Sequence, residues 1–380
     1  MVNPEHVTMA NPEHVRRLWR GANAWNRWRQ QNPHELPNLE GVYITNVEPQ
    51  YPEVDPGVPE DLTTFDLSSS NLRRANLTGV RLWEANLQEA DLTEATLCFA
   101  NLKQQRNFIF PNFTRPINLS EANLTRANLR MACFDRAILK RANLQEADLW
   151  NASFRFANFE RADVTGATLT YADLWNAKLQ ETILCNANLS QAELSYADLS
   201  EANLSCANLS QAIFYAANLT QAIFDRANLN NANLSRTQAL RTNFTGAVFT
   251  GACLENWNIL NSATRVDNID CLYVYLNTNN QNRIPCGRNF ARGEFTQLLQ
   301  LIIAPERLQQ LLRDLEQGNL IATEEEQQAF LQGFIPPEIA ENFMKELEER
   351  GIPIGRIIQF IRNPLVPVLI KIILALLNNR

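Results

Sequence analysis

The chain has 380 residues, 45% of them hydrophobic and 20% charged, with a formal net charge of −7. Those proportions are ordinary for a soluble protein, and an acidic chain without a sustained basic stripe is not expected to bind nucleic acid directly. Only 13 glycines and 3 histidines are present, which leaves little material for a phosphate-cradling loop or a histidine-based catalytic centre.

At the N-terminus, Met1-Val2-Asn3-Pro4-Glu5-His6-Val7 is echoed by Met9-Ala10-Asn11-Pro12-Glu13-His14-Val15. The second copy opens a helix: Asn11 caps it, Pro12 fits its first turn and Glu13 complements its dipole. Val15, Leu18, Trp19, Ala22, Trp25 and Trp28 then share one face, an apolar stripe suited to closing the end of a larger core. Residues 1–32 are thus expected to form a capping helix, with His6 and His14 solvated near its start. The polar beginning of the chain carries no secretory pattern. Residues 33–61 hold Pro33, Pro37, Pro49, Pro52, Pro56 and Pro59 and read as an extended linker.

From Leu62 to Ile259 the sequence repeats every five residues: Ala, then Asn or Asp, then Leu or Phe, then two polar positions, as in Ala202-Asn203-Leu204-Ser205-Cys206. Between Ala122 and Ala232 the position two before each large apolar centre occurs 23 times, and all but Thr182 are alanine. A period of five is neither helical nor that of a long strand. Within one unit, however, the Ala and the centre are two residues apart and share one face of extended backbone. Each unit is therefore a short extended side with two inward side chains, followed by a corner.

This pattern resembles the pentapeptide repeat family. The resemblance implies a mainly β fold, a right-handed quadrilateral β-helix whose 20-residue coils stack at about 4.8 Å. The Asn11-Pro12-Glu13-His14 opening and Trp25-Asn26-Arg27-Trp28-Arg29 are similar to the leader of cyanobacterial members. Residues 20 apart should then lie above one another, placing Phe134 and Phe154 in one core column with Phe214 further along, and Phe224 and Phe244 in another.

One interruption breaks the register. Leu102 and Leu119 are 17 steps apart, two more than a multiple of five. Either a loop leaves the coil there, or Phe108 and Phe113 are two further centres with one extra residue on each flank, as a β-bulge inserts. The second reading, the favoured one, gives 40 units, or about ten coils.

Beyond Ile259 the period fades, so residues 260–293 read as a C-terminal cap or linker with Leu272–Leu276 as a closing strand. Residues 294–380 turn helical: Leu308, Leu311, Leu312 and Leu315 have helical spacing, as do Ile339, Phe343, Met344 and Leu347. This region is expected to be a small all-α domain. Its last segment, 364–377, is apolar but shorter than the roughly 20 residues of a membrane span and interrupted by Lys371. Burial within the domain is the expected reading; contact with a partner groove or a membrane surface is the alternative.

Seven cysteines at 98, 133, 185, 206, 253, 271 and 286 show no metal-ligand spacing and read as free thiols in a reducing cytoplasm. Cys185 and Cys206, 21 residues apart, are the pair that adjacent coils could bring together. All three histidines precede the repeat. No catalytic residue, metal or cofactor is expected.

Some members of the family resemble a DNA duplex and act on type II topoisomerases, so the resemblance implies that activity as an alternative function. A duplex carries one charge per roughly 1.7 Å, whereas residues 62–259 hold 18 Asp plus Glu against 17 Lys plus Arg, a net of −1. Arg126, Arg130, Arg136, Lys140, Arg141, Arg155 and Arg161 make the middle of the repeat basic, and Glu181, Glu193, Asp198, Glu201 and Asp225 make its upper section weakly acidic. That mixture is poor mimicry. The expected function is a non-catalytic scaffold for a protein partner. Its expected contact zone is the interruption, where Arg106, Phe108, Ile109, Phe110 and Arg115 set aromatics beside arginines, types enriched at interface hot spots. If Phe108 and Phe113 are core centres, only Phe110 of the aromatics is left exposed.

Overall fold

Each five-residue unit forms one side of a coil in the computed structural model, which describes residues 10–42, 44, 62, 64–82, 85–98, 100, 116–259, 263–278, 283–285 and 288–303. The inward pair is sealed from solvent, as at Ala137 and Leu139 or Ala152 and Phe154. Parallel bridges join Ile138 to Asn158, Asn143 to Asp163, Asp148 to Thr168 and Ser153 to Asp173. Four sides therefore complete a layer of 20 residues. Leu139 N–H donates to the carbonyl of Asn158 (2.7 Å), and Asn158 N–H donates back to that of Ala137 (2.8 Å), so each inward-facing stretch spends its backbone polar groups on the layers beside it.

The corners explain the rest of the unit. Ala142 N–H closes a β-turn on the Leu139 carbonyl (3.1 Å), and the second residue after each centre has positive φ: +55° at Arg141, +54° at Asn151, +59° at Phe156. Side chains seldom adopt this conformation; here the turn geometry is held from both directions. Arg141 N–H donates into the next layer, to Glu160 O at 3.0 Å. From below, the Asn or Asp of the side grips the corner as an Asx-turn: Asn123 Oδ1 accepts Thr125 N–H at 3.2 Å and Thr125 Oγ1–H at 2.6 Å. Thr182, the exception in the alanine row, is buried with its hydroxyl donated to Phe159 O at 2.9 Å.

The chain divides into two compact units, Met1–Asn208 and Leu209–Arg380. In the first, the expected capping helix is two helices, α1 (Pro12–Leu18) and α2 (Ala22–Gln31). Gly21, at φ +86°, breaks them and caps α2. Asn11 caps α1 as expected, accepting Glu13 N–H at 2.9 Å. The cap docks by hydrogen bonds as well as by Leu18 and Trp25: Trp25 Nε1–H donates to Asp66 O (2.6 Å), and Asn26 accepts Asp66 N–H (2.9 Å). These satisfy a first side that has no layer beneath it. His14 is not solvated. It is buried, accepts Asn38 N–H at Nδ1 (2.9 Å) and contacts Glu35 at Nε2 (2.8 Å). Val15 and Trp19, expected on the buried face, are only half-buried.

Two further expectations fall in this unit. Residues 37–42 and 44 belong to coil sides, not linker: Asn38 bridges Asn71, Ile44 N–H donates to Asn76 O (2.9 Å), and Leu39, Val42 and Ile44 are buried. At the interruption, Asn118 lies on Asn86, Asn123 on Asp91 and Asn128 on Thr96. No layer intervenes between those rungs, which are 32 residues apart where the layers above are 20 apart; Phe108 and Phe113, expected as two further centres, lie outside the described residues. Phe134 and Phe154 stack as expected, ring centroids 5.1 Å apart.

In the second unit the Phe224 and Phe244 rings stack at 5.2 Å, again as expected. The ladder does not stop at Ile259. Arg265 pairs with Asn243, Asp270 with Val248 and Tyr275 with Cys253, each 22 residues on, with Thr264, Val266, Ile269, Cys271 and Val274 inward. The expected closing strand is β1 (Val274–Tyr275), paired antiparallel with β2 (Arg283–Ile284). Helix α3 (Glu294–Ile303) then buries Phe295, Leu298, Leu299 and Ile303. Its Thr296 Oγ1 accepts Ile269 N–H at 3.0 Å, so α3 closes this stack. The rest of the expected all-α domain, including 364–377, lies outside the described residues. Among the described residues no helix is long and apolar enough to cross a membrane.

Candidate functional site

Two outward positions follow every centre, and they form the corners of the coil. In the layers from Leu119 to Tyr196 these corners are of two kinds.

The side carrying Asn123, Asn143 and Asp163 is edged by charge. Across successive layers Arg126 pairs with Glu146 (2.7 Å), Lys140 with Glu160 (2.7 Å), Arg141 with Glu121 (3.5 Å) and Arg161 with Glu181 (2.9 Å). Hydrogen bonds from Lys140 and Arg161 hold the Glu160 and Glu181 carboxyls below their ordinary range. Burial acts to raise Asp163, but the hydrogen bonds from Thr165 and Gln145 outweigh it and hold that carboxyl low.

The opposite side, carrying Cys133, Ser153, Asp173 and Glu193, is edged by rings. On its leading edge Trp150 meets Tyr171 edge-on at 6.3 Å, below an exposed Met131 and with the Arg130 guanidinium 4.5 Å over Trp150. On its trailing edge Phe156 meets Trp175 at 4.9 Å and Trp175 meets Tyr196 at 5.9 Å. Arg136 lies 5.5 Å over Phe156. Phe156, Tyr171 and Tyr196 are 41%, 47% and 49% exposed, though each could have been replaced by a polar residue at no cost to the core. Between the edges, Arg155 is bound to Asp173 and Ser153 to Asp135.

This geometry alters the charge reading. Six of the seven cations expected to make the middle basic are neutralised by carboxylates of neighbouring layers: Arg126, Arg130, Lys140, Arg141, Arg155 and Arg161. Arg136 alone is spent on a ring instead of a carboxylate among the described residues. Exposed pairs of this kind add little stability; their effect is to leave the charged edges without a net field.

The expected contact zone of Arg106, Phe108, Ile109, Phe110 and Arg115 lies outside the described residues. The aromatic edges were not singled out from sequence. The signal that reveals them is an aromatic after a centre recurring at 21 residues (Trp150, Tyr171) or at 19 and 21 (Phe156, Trp175, Tyr196).

Nothing in the arrangement activates a nucleophile. Burial pushes the Cys98, Cys185, Cys253 and Cys271 thiols up, away from thiolate. Cys253, at the position of the unit that carries Asn or Asp elsewhere, is buried. Among the described residues no group of His, Cys, Asp and Glu could hold a metal ion.

A family model described as pentapeptide repeats matches the chain in eight copies over residues 66–104, 117–141, 139–170, 169–205, 192–231 and 222–256. Among solved structures, HetL from the cyanobacterium Nostoc sp. strain PCC 7120, a pentapeptide repeat protein involved in heterocyst differentiation regulation, is 28% identical over 65% of this chain and 94% of its own, with a TM-score of 0.25. Rfr23, from the cyanobacterium Cyanothece 51142, is 29% identical over 41% of this chain and 91% of its own, with a TM-score of 0.19. QnrB1, a plasmid-mediated fluoroquinolone resistance protein, is 15% identical over 62% of this chain and 90% of its own, with a TM-score of 0.23. No curated protein matches the sequence.

Proposed function

We propose, from the premise that the repeat segment of this chain belongs to the pentapeptide repeat family, that the protein is a non-catalytic scaffold which engages a protein partner through the ring-edged side. Members of the family fold as quadrilateral β-helices and are generally structural or interaction proteins. The observation that carries the reading is the half-exposed Phe156–Trp175–Tyr196 ridge, facing Trp150 and Tyr171 across a strip of polar residues. Aromatics and arginine dominate the energetics of interfaces, and a contiguous solvent-facing ring cluster that fills no part of the core marks an interaction surface.

The interlayer ion pairs argue against the topoisomerase alternative. A duplex mimic has to present dense, unbalanced negative charge, whereas here each carboxylate of the charged edges is matched to a cation one layer away.

The test is affinity purification of the full-length protein from its native cell. A specific partner should be retained by wild type and by Arg161→Ala, and lost with Trp175→Ala and with Phe156→Ala. Equal retention by all four proteins would place the contact elsewhere.

A further inference from the structure

The order of groups along the ring-edged side is self-complementary, and we propose that its occupant is a second copy of this chain, docked antiparallel. This rests on the scaffold reading and names the partner at the same surface. The symmetry follows from register. Cys133, Ser153, Asp173 and Glu193 mark four successive layers of the side, with its midpoint between Ser153 and Asp173. A two-fold axis lying in the plane of the side at that midpoint, across the direction of stacking, sets each layer against its mirror in the other copy, as closed isologous dimers require.

The rings of the two central layers then meet one another. Trp150 falls opposite Tyr171, both on the leading edge. Phe156 falls opposite Trp175, both on the trailing edge. At the two ends, Arg136 falls at the trailing edge of the Glu193 layer, opposite Tyr196 and beside the carboxylate in the middle of that side. Arg136 has no carboxylate among the described residues, being stacked on Phe156, and the Glu193 carboxylate accepts Ser195 N–H at 2.8 Å and acts on Arg155 through charge alone, without an ion pair. One copy thus leaves a cation at one end of the ring cluster and an anion at the other, one and a half layers, or about 7 Å, on either side of the midpoint. A parallel arrangement would instead set Arg136 against the Arg130 corner, whose guanidinium is already held by Asp148 and Trp150, and would leave Glu193 without a cation opposite. The patch spans four layers, which is small beside standard interfaces, so the association depends on concentration.

Sedimentation equilibrium of the full-length protein across a concentration series tests this. Wild type should shift from monomer to dimer. Arg136→Glu and Glu193→Arg, each alone, should weaken the dimer at least tenfold, because each sets like charges opposite one another twice. Mixing those two variants should restore dimer as a heterodimer, since both end pairs become complementary again. Circular dichroism of each variant checks that it folds. A wild type that stays monomeric throughout, a dimer indifferent to both reversals, or a mixture that fails to recover would overturn the proposal. If wild type is monomeric while Trp175→Ala still loses a captured partner, the scaffold reading stands and only the second copy is eliminated.

Discussion

Across one layer of the first unit, the corner after Leu179 and the corner after Leu174 have the same backbone and opposite chemistry. Both turns close on the preceding centre, Thr182 N–H on Leu179 O at 3.2 Å and Ala177 N–H on Leu174 O at 3.0 Å, and both have positive φ at the third residue, +55° at Glu181 and +54° at Asn176. Yet the first belongs to the ion-pair ladder through Glu181, and the second carries Trp175 into a ring cluster. The Asx-turn and the inward Ala–Leu pair account for the geometry at both. The outward pair is therefore free to vary, and the difference between the edges reflects what each meets rather than what the fold needs.

If that separation holds, the largest effects lie beneath the corners and are blind to them. Leu174→Ala and Leu179→Ala, both removing fully buried centres, should each cost about 3 kcal/mol in urea unfolding, alike to within about 1 kcal/mol. A strong inequality would show that the outward chemistry supports the core after all. Next come corners where the turn itself is obstructed. A side chain added at Gly79 meets nothing within 4 Å, whereas one at Gly251 would lie 2.2 Å from Asn231 Oδ1. Both sites have positive φ, so both alanines pay about 1 kcal/mol of backbone cost, and Gly251→Ala should be the worse by roughly a further 1 kcal/mol as Asn231 is displaced. Equal melting temperatures would refute the crowding. Smaller again is the ring edge. Trp175→Ala loses two edge-on contacts and should cost about 1 kcal/mol in the isolated protein, far less than its effect on association.

How much of this could be read in advance follows the same division. The inward pairs and the Phe134–Phe154 and Phe224–Phe244 columns were legible because a strict period fixes which side chains share a face. Register at the interruption was not. Phe108 and Phe113 fit the five-residue pattern equally well as sides or as part of an excursion, and spacing alone does not foretell that Asn118 pairs with Asn86. The coil was also longer than the Ala-x-Leu wording suggested: Leu39, Val42 and Ile44 keep the inward spacing among Pro37 and Gly41, and Thr264 with Val266 keeps it past Ile259. His14 misled because its burial comes from Glu35 and Asn38, partners far along the chain. The ring edges were visible as residues but not as edges, since that needs the layer length together with one-residue offsets between the two outward positions.

The smallest effect separates the edges by titration. Glu94, Glu160 and Glu181 are each held below the ordinary value of 4.5 by a hydrogen bond from an Arg or Lys of the neighbouring layer. A carboxylate whose folded value is depressed contributes stability above its unfolded value, and loses it as the pH falls through the folded one. The urea midpoint should therefore be flat from pH 7 to about 5 as far as these groups are concerned, and decline below about 4.5. Their exposure keeps the loss small. Glu160→Gln combined with Glu181→Gln should shallow that decline, because the groups that titrate are gone, while Trp175→Ala should leave its slope as in wild type. A decline unchanged by the two glutamines would mean that the ladder's ion pairs are present in the structure without contributing to its stability, and the charged edge would then be as optional to the fold as the ring edge.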